Sequence, residues 1–165
     1  MQITTSRFGQ IEIIPEEVVE FPEGLLGFDG YHRFVILNTQ EGSPFRWLQS
    51  VDDGNLAFII IEPLNFMFSY ELEISDEDIS FLAIERPEEV VLYAIVTIPE
   101  NAQDMTANLQ GPIVVNARNR KARQVISNNS HHSLKARIMD EMAKRELEMK
   151  KVAKSLDPNK KGDKE

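Results

Sequence analysis

At 165 residues, with 27 acidic against 18 basic side chains and no cysteine, the chain has room for one core and a tail and carries a net charge of −9. These counts exclude disulfides, thiolate metal sites and a cysteine nucleophile, and they disfavour direct nucleic-acid binding, because most of the surface would repel phosphate. The start Met1-Gln2-Ile3-Thr4-Thr5 lacks the pattern of a secretory signal and the longest apolar run, 56–61, is too short to span a bilayer, so the expectation is a cytoplasmic protein with no membrane contact.

In chain order, short β-branched and apolar runs between turn residues predict strands over 10–14, 18–21, 34–37, 45–50, 56–62, 90–98, 105–109, 113–116 and 123–126. The loop 22–27 places two glycines and a proline around Leu25 and Leu26, which predicts a turn that packs its own apolar side chains on the body. Asp53-Gly54-Asn55 reads as a hairpin turn. From Leu64 to Ile74, Phe66, Phe68, Tyr70 and Leu72 fall on every second residue with Met67 the break, which predicts a strand with one buried and one acidic face. Ser75 followed by Asp78 resembles a capping box, so a short helix over 75–83 should end before Pro87. From Ser133 onward, Leu134, Ile138, Met142, Met149, Val152 and Leu156 mark one helical face until Asp157-Pro158. The reading is a mainly β chain: a small antiparallel β-barrel-like domain over 1–133 with one short helix, an appended C-terminal α-helix over 134–156, and a disordered tail over 157–165.

Residues offering chemistry are few. His131 and His132 are neighbours that diverge on an extended chain and read as surface loop, and His32 has no second ligand at a fixed spacing. Asp52-Asp53 and Glu88-Glu89 read as solvated or capping acids, and no phosphate loop, nucleophile elbow or zinc motif is present. No cofactor, metal or catalytic residue is expected. Trp47 reads as core, and Arg118, Arg120, Lys121 and Arg123 read as a solvated hairpin that offsets nearby acids. Residues 1–133 hold twenty acids and eight bases, whereas 134–165 hold seven acids and ten bases. Such a body would attract a basic protein surface; the tail helix either docks a partner or folds back on the barrel.

Three segments carry a resemblance in their order and spacing: Phe21-Pro22-Glu23-Gly24-Leu25-Leu26-Gly27-Phe28, Pro44-Phe45-Arg46-Trp47-Leu48-Gln49-Ser50, and Thr106-Ala107-Asn108-Leu109-Gln110-Gly111-Pro112-Ile113-Val114-Val115-Asn116. Over about residues 1–134 the chain resembles the bacterial flagellar assembly factor family, FliW. It departs from that pattern after Asn116, where a proline is often found, and in its appended helix. The resemblance implies a small antiparallel barrel-like fold and a non-enzymatic role. It further implies two exchanging partners: flagellin, and the carbon storage regulator CsrA, an RNA-binding repressor of flagellin translation whose capture relieves repression. An alternative is a stand-alone flagellin-binding chaperone. The motif glycines and Phe21, Trp47, Leu48 and Asn108 read as fold-makers. For docking the regulator, the acids on or between strands, Asp52, Asp53, Glu62, Glu71 and Glu73, are expected to form one acidic face.

Overall fold

The short β-branched runs do become strands, and antiparallel pairing of each run with its neighbours builds most of the fold. The structure, a computed structural model, describes residues 1–156. Its strands are β1 (Gln2–Thr5), β2 (Gly9–Glu12), β3 (Val19–Glu20), β4 (Arg33–Leu37), β5 (Arg46–Ser50), β6 (Ala57–Ile61), β7 (Val90–Thr97), β8 (Thr106–Ala107), β9 (Ile113–Asn116), β10 (Ala122–Gln124) and β11 (Ala136–Arg137). The helices are α1 (Asp76–Phe81) and α2 (Ile138–Leu156).

The main sheet runs β10-β9-β7-β6-β5-β4-β3, all antiparallel, and β1 and β2 form a separate hairpin. Eight-residue β7 serves three partners: besides β6, its first half pairs β9, while Val96 and Thr97 pair β8, which in turn pairs β11. At the open edge, Glu20 N donates to Arg120 O at 2.9 Å and bridges Lys121, so β3 meets the β9–β10 hairpin and the sheet curls shut. Closing the edge leaves fewer backbone groups for stray pairing.

Alternation places Val19, Phe21, Phe34, Leu48, Ile60, Ile113 and Val115 inside the barrel. A second cluster of Ile61, Phe66, Tyr70, Ala94, Val96 and Leu109 includes Ile138, the first residue of α2, which is fully buried. Burying that isoleucine contributes about 2 kcal/mol and roots the helix on the body.

Several expectations need revision. Residues 64–74 form no strand: Pro63 opens a 3-10 turn over Pro63–Asn65 and the chain then crosses as a strap, with Phe66 and Tyr70 buried but Leu64 and Phe68 exposed. Proline has no N–H to give a ladder, and alternation alone does not supply a strand partner. The C-terminal helix starts at Ile138 and not near 134, because Ala136 and Arg137 are taken by β8. Strand β1, unforeseen in the polar start, is held by β2. Trp47 is half-buried, with Phe8 edge-on at 5.5 Å and the Arg7 guanidinium 4.8 Å from its ring centre. Residues 157–165, expected to be disordered, lie outside the described residues.

Candidate functional site

The strap and the first half of β7 enclose an apolar groove. Tyr70, Val90 and Leu92 line both of its adjoining hollows; Leu64 lines one, and Leu72, Ile74, Ile79, Ile84 and Pro87 the other. Glu62, Glu71, Glu85 and Arg86 stand on its rim, and Glu73 is exposed between the lining residues Leu72 and Ile74.

Local chemistry explains why the groove keeps its shape. Tyr70 Oη donates to Leu109 O at 2.7 Å, and burial pushes its phenol up to about 12, so the donor stays protonated. The ring stacks on His132 at 4.3 Å. His132, expected on the surface, is instead buried, its Nδ1 2.5 Å from Ser127 Oγ, and desolvation lowers its pKa; His131 remains exposed. On the far side, Ser75 Oγ accepts from Asp78 N at 3.1 Å and caps α1, as its sequence signature predicts. The helix ends against buried Asn116, whose Nδ2 donates to Leu82 O at 2.9 Å.

The five expected docking acids fall in two groups at opposite ends of β6. Glu62, Glu71 and Glu73 gather about the groove, and none has an ion-pair partner among the described residues. Asp52 and Asp53 sit at the other end of β6, which at strand rise is roughly 13 Å long. They build the β5–β6 turn: both backbone N–H groups donate to Ser50 Oγ, and Asp53 Oδ1 accepts from Asn55 N at 2.9 Å. The Asp52 carboxylate is paired with Arg33, which raises the guanidinium pKa. Buried Gln49 fastens the same turn, its Nε2 within 3.5 Å of the carbonyls of Ser50, Asp53, Gly54 and Leu56.

Two of the four bases of the hairpin are ion-paired with acids elsewhere in the body. Arg118 pairs with Glu89 at 2.5 Å and donates to Ala83 O at 2.6 Å. Arg123 meets Glu23, Glu77 and Asp78 at 2.7, 3.3 and 3.0 Å, and with Lys121 it covers the Phe81 ring. Arg120 instead donates to Glu17 O at 3.1 Å, so the offset to nearby acids is carried by Arg118 and Arg123.

A second surface was not legible from residue types. The loop after Phe21 buries Leu25 but leaves Leu26 at 65% and Phe28 at 37% exposure. With Phe58, Ile95 and Leu134 they line an open apolar basin edged by Asn108 and Gln124. Two of the sequence segments meet here: Leu26 N donates to Gln124 Oε1, Gln124 Nε2 donates to Gly111 O at 2.8 Å, and Asn108 Oδ1 accepts from Gly111 N at 2.8 Å. Gly24, at φ +69, has the backbone of Phe28 and Asp29 where a Cβ would sit, so the tight loop admits no side chain there. A glycine pair around two leucines was the available signal; which leucine faces outward depends on the turn's contact with Gln124.

Among the described residues no group of three His, Asp or Glu side chains is placed to hold a metal, and no helix is long and apolar enough to cross a membrane. Ser127 and His132 resemble half of a nucleophile pair, but both are buried and the hydroxyl also accepts from Asn129 N at 3.2 Å, which gives them a role in fastening the loop beneath Tyr70.

Residues 2–138 match the family model described as FliW protein. Among similar proteins, the flagellar assembly factor FliW of Thermoanaerobacter pseudethanolicus is 42% identical over 143 residues, covering 86% of this chain and 95% of that protein. The FliW of Ruminiclostridium cellulolyticum is 40% identical over 148 residues, covering 89% and 100%. That of Treponema denticola is 40% identical over 142 residues, covering 86% and 96%. A solved structure described as the crystal structure of the flagellar assembly factor FliW superimposes with a TM-score of 0.78 at 38% identity, covering 84% of this chain and 96% of that one.

Proposed function

From the premise that this chain belongs to the FliW family of flagellar assembly factors, we propose that it is a non-enzymatic, cytoplasmic partner switch that binds flagellin and antagonises the translational repressor CsrA. When flagellin is exported, the freed protein captures CsrA and relieves repression of flagellin translation. The observation that carries this reading is the groove beneath the strap: apolar along its floor, with Glu62, Glu71 and Glu73 free of ion pairs among the described residues, while Arg118 and Arg123 are already matched to acids. An apolar floor supplies affinity, and unmatched acids steer and select a basic RNA-binding partner. Asp52 and Asp53 contribute only to the long-range field in this reading.

A second reading, a flagellin chaperone without regulator antagonism, is favoured by the basin of Leu26, Phe28 and Leu134, where apolar contact would dominate. Calorimetric titration with CsrA from the same cell, at low and moderate salt and with flagellin absent or already bound, separates the two. Salt-sensitive binding that flagellin abolishes supports the switch. No binding at either salt leaves the chaperone.

A further inference from the structure

Helix α2 is rooted by Ile138 and then presents an uncovered stripe. Met142, Met149, Val152 and Leu156 are 36, 48, 44 and 75% exposed. Together with Ile138, which the body buries, and Arg145 they are spaced 4-3-4-3-4, the spacing of a coiled-coil seam over fewer than three heptads. The FliW match ends at residue 138, so this stripe is outside it.

The charges beside the seam decide what kind of helix fits. Glu141 and Glu148 precede Met142 and Met149 on one flank, and Glu146 follows Arg145 on the other. Their lysine partners, Lys144, Lys150 and Lys151, lie in the same helix, at 3.3, 3.7 and 3.3 Å; the Glu146 and Glu148 pairs are exposed and bind weakly, whereas the Glu141 side chain is half-buried. In a parallel pair of α2 helices, Arg145 would face Arg145 and Glu141 would face Glu146; in an antiparallel pair, acid flank would again face acid flank. Self-pairing is thus resisted by like charge, and no residue of α2 lines the groove beneath the strap.

We propose that α2 is a docking helix for another protein's basic amphipathic helix, one with an apolar seam, Lys or Arg on both seam flanks, and an acid opposite Arg145. The stripe is the attractive element, and Arg145 with the glutamate flanks is the element that rejects other partners.

The test uses the full chain and two synthetic three-heptad peptides with leucine seams and one seam glutamate, one flanked by lysines and its twin by glutamates. The lysine-flanked peptide is expected to bind about tenfold or more tighter than its twin, with affinity falling as salt rises. Met149→Gln with Val152→Gln should abolish binding while the denaturation midpoint of the body stays unchanged, since both side chains are about half exposed and neither belongs to a core cluster. Equal binding of the two peptides, binding of neither, or binding insensitive to the double substitution would overturn the proposal. So would sedimentation equilibrium that finds a dimer of the chain lost on the same substitution, because the occupant would then be a second copy.

Discussion

Two acidic regions of this molecule carry the same charges and do different things. At the β5–β6 turn, Asp52 is paired with Arg33, and backbone and side-chain bonds from Ser50 and Asn55 hold Asp53 in the turn. Around the groove, Glu62, Glu71 and Glu73 stand without ion-pair partners among the described residues, beside an apolar floor. Acid count is thus a poor measure of available charge: an acid that completes a turn or meets an arginine has spent its field locally, whereas one at an unpaired rim still acts on an approaching partner.

The largest expected effect breaks the turn. A Cβ at Gly54 would collide with the Thr4 carbonyl, and Gly54→Ala should lower the unfolding free energy by about 3 kcal/mol or more, read from urea denaturation. Next comes the groove: changing Glu62, Glu71 and Glu73 to lysine should weaken CsrA capture at low salt by tenfold or more, on the order of 2 kcal/mol, without moving the urea midpoint appreciably. If capture were unchanged in calorimetry, the groove acids would be no more available than the turn acids. Tyr70→Phe removes the donor to a buried carbonyl and should cost about 1 to 2 kcal/mol in the same denaturation assay. Asp52→Asn should cost less than about 1 kcal/mol and leave capture nearly intact, because the pair it loses is exposed.

The smallest predicted effect is a pH dependence under the groove. Burial depresses the His132 pKa below its ordinary value near 6.5, so the unfolded chain binds a proton the folded chain resists. Its contribution is fully present above about pH 6.5 and is lost as pH falls through and below that value. Denaturation midpoints at pH 7.5 and 5.5 should differ in that direction, and His132→Gln should flatten the difference relative to the parent chain.

Legibility from sequence varied with how local the cause was. The Asp53-Gly54-Asn55 turn, the Ser75 cap and the strand runs 34–37, 45–50, 56–62, 90–98 and 113–116 were readable because neighbours along the chain set them. Asn108 was readable as a backbone-bonding residue and accepts from Gln110 and Gly111. Glu62, Glu71 and Glu73 were singled out with Asp52 and Asp53 for lying on or between strands; that the two sets stand at opposite ends of β6, one at a groove and one in a turn, is decided by strand pairing and not by acid type. Leu26, expected to pack on the body with Leu25, is exposed, since apolar type alone does not say which way a turn aims a side chain.

By itself the sequence determined a mainly β body with a short capped helix, an acidic surface, and an amphipathic helix that follows it, because periodicity, capping and net charge depend on residues a few positions apart. Only the tertiary structure decided that 64–74 is a strap and not a strand, that His132 is buried beneath Tyr70, that β3 reaches Lys121 to close the sheet, and which acids find an arginine. Those outcomes rest on contacts between residues far apart in the chain, such as Arg123 with Glu23 or Tyr70 with Leu109, and no local pattern encodes which distant partner a side chain will meet.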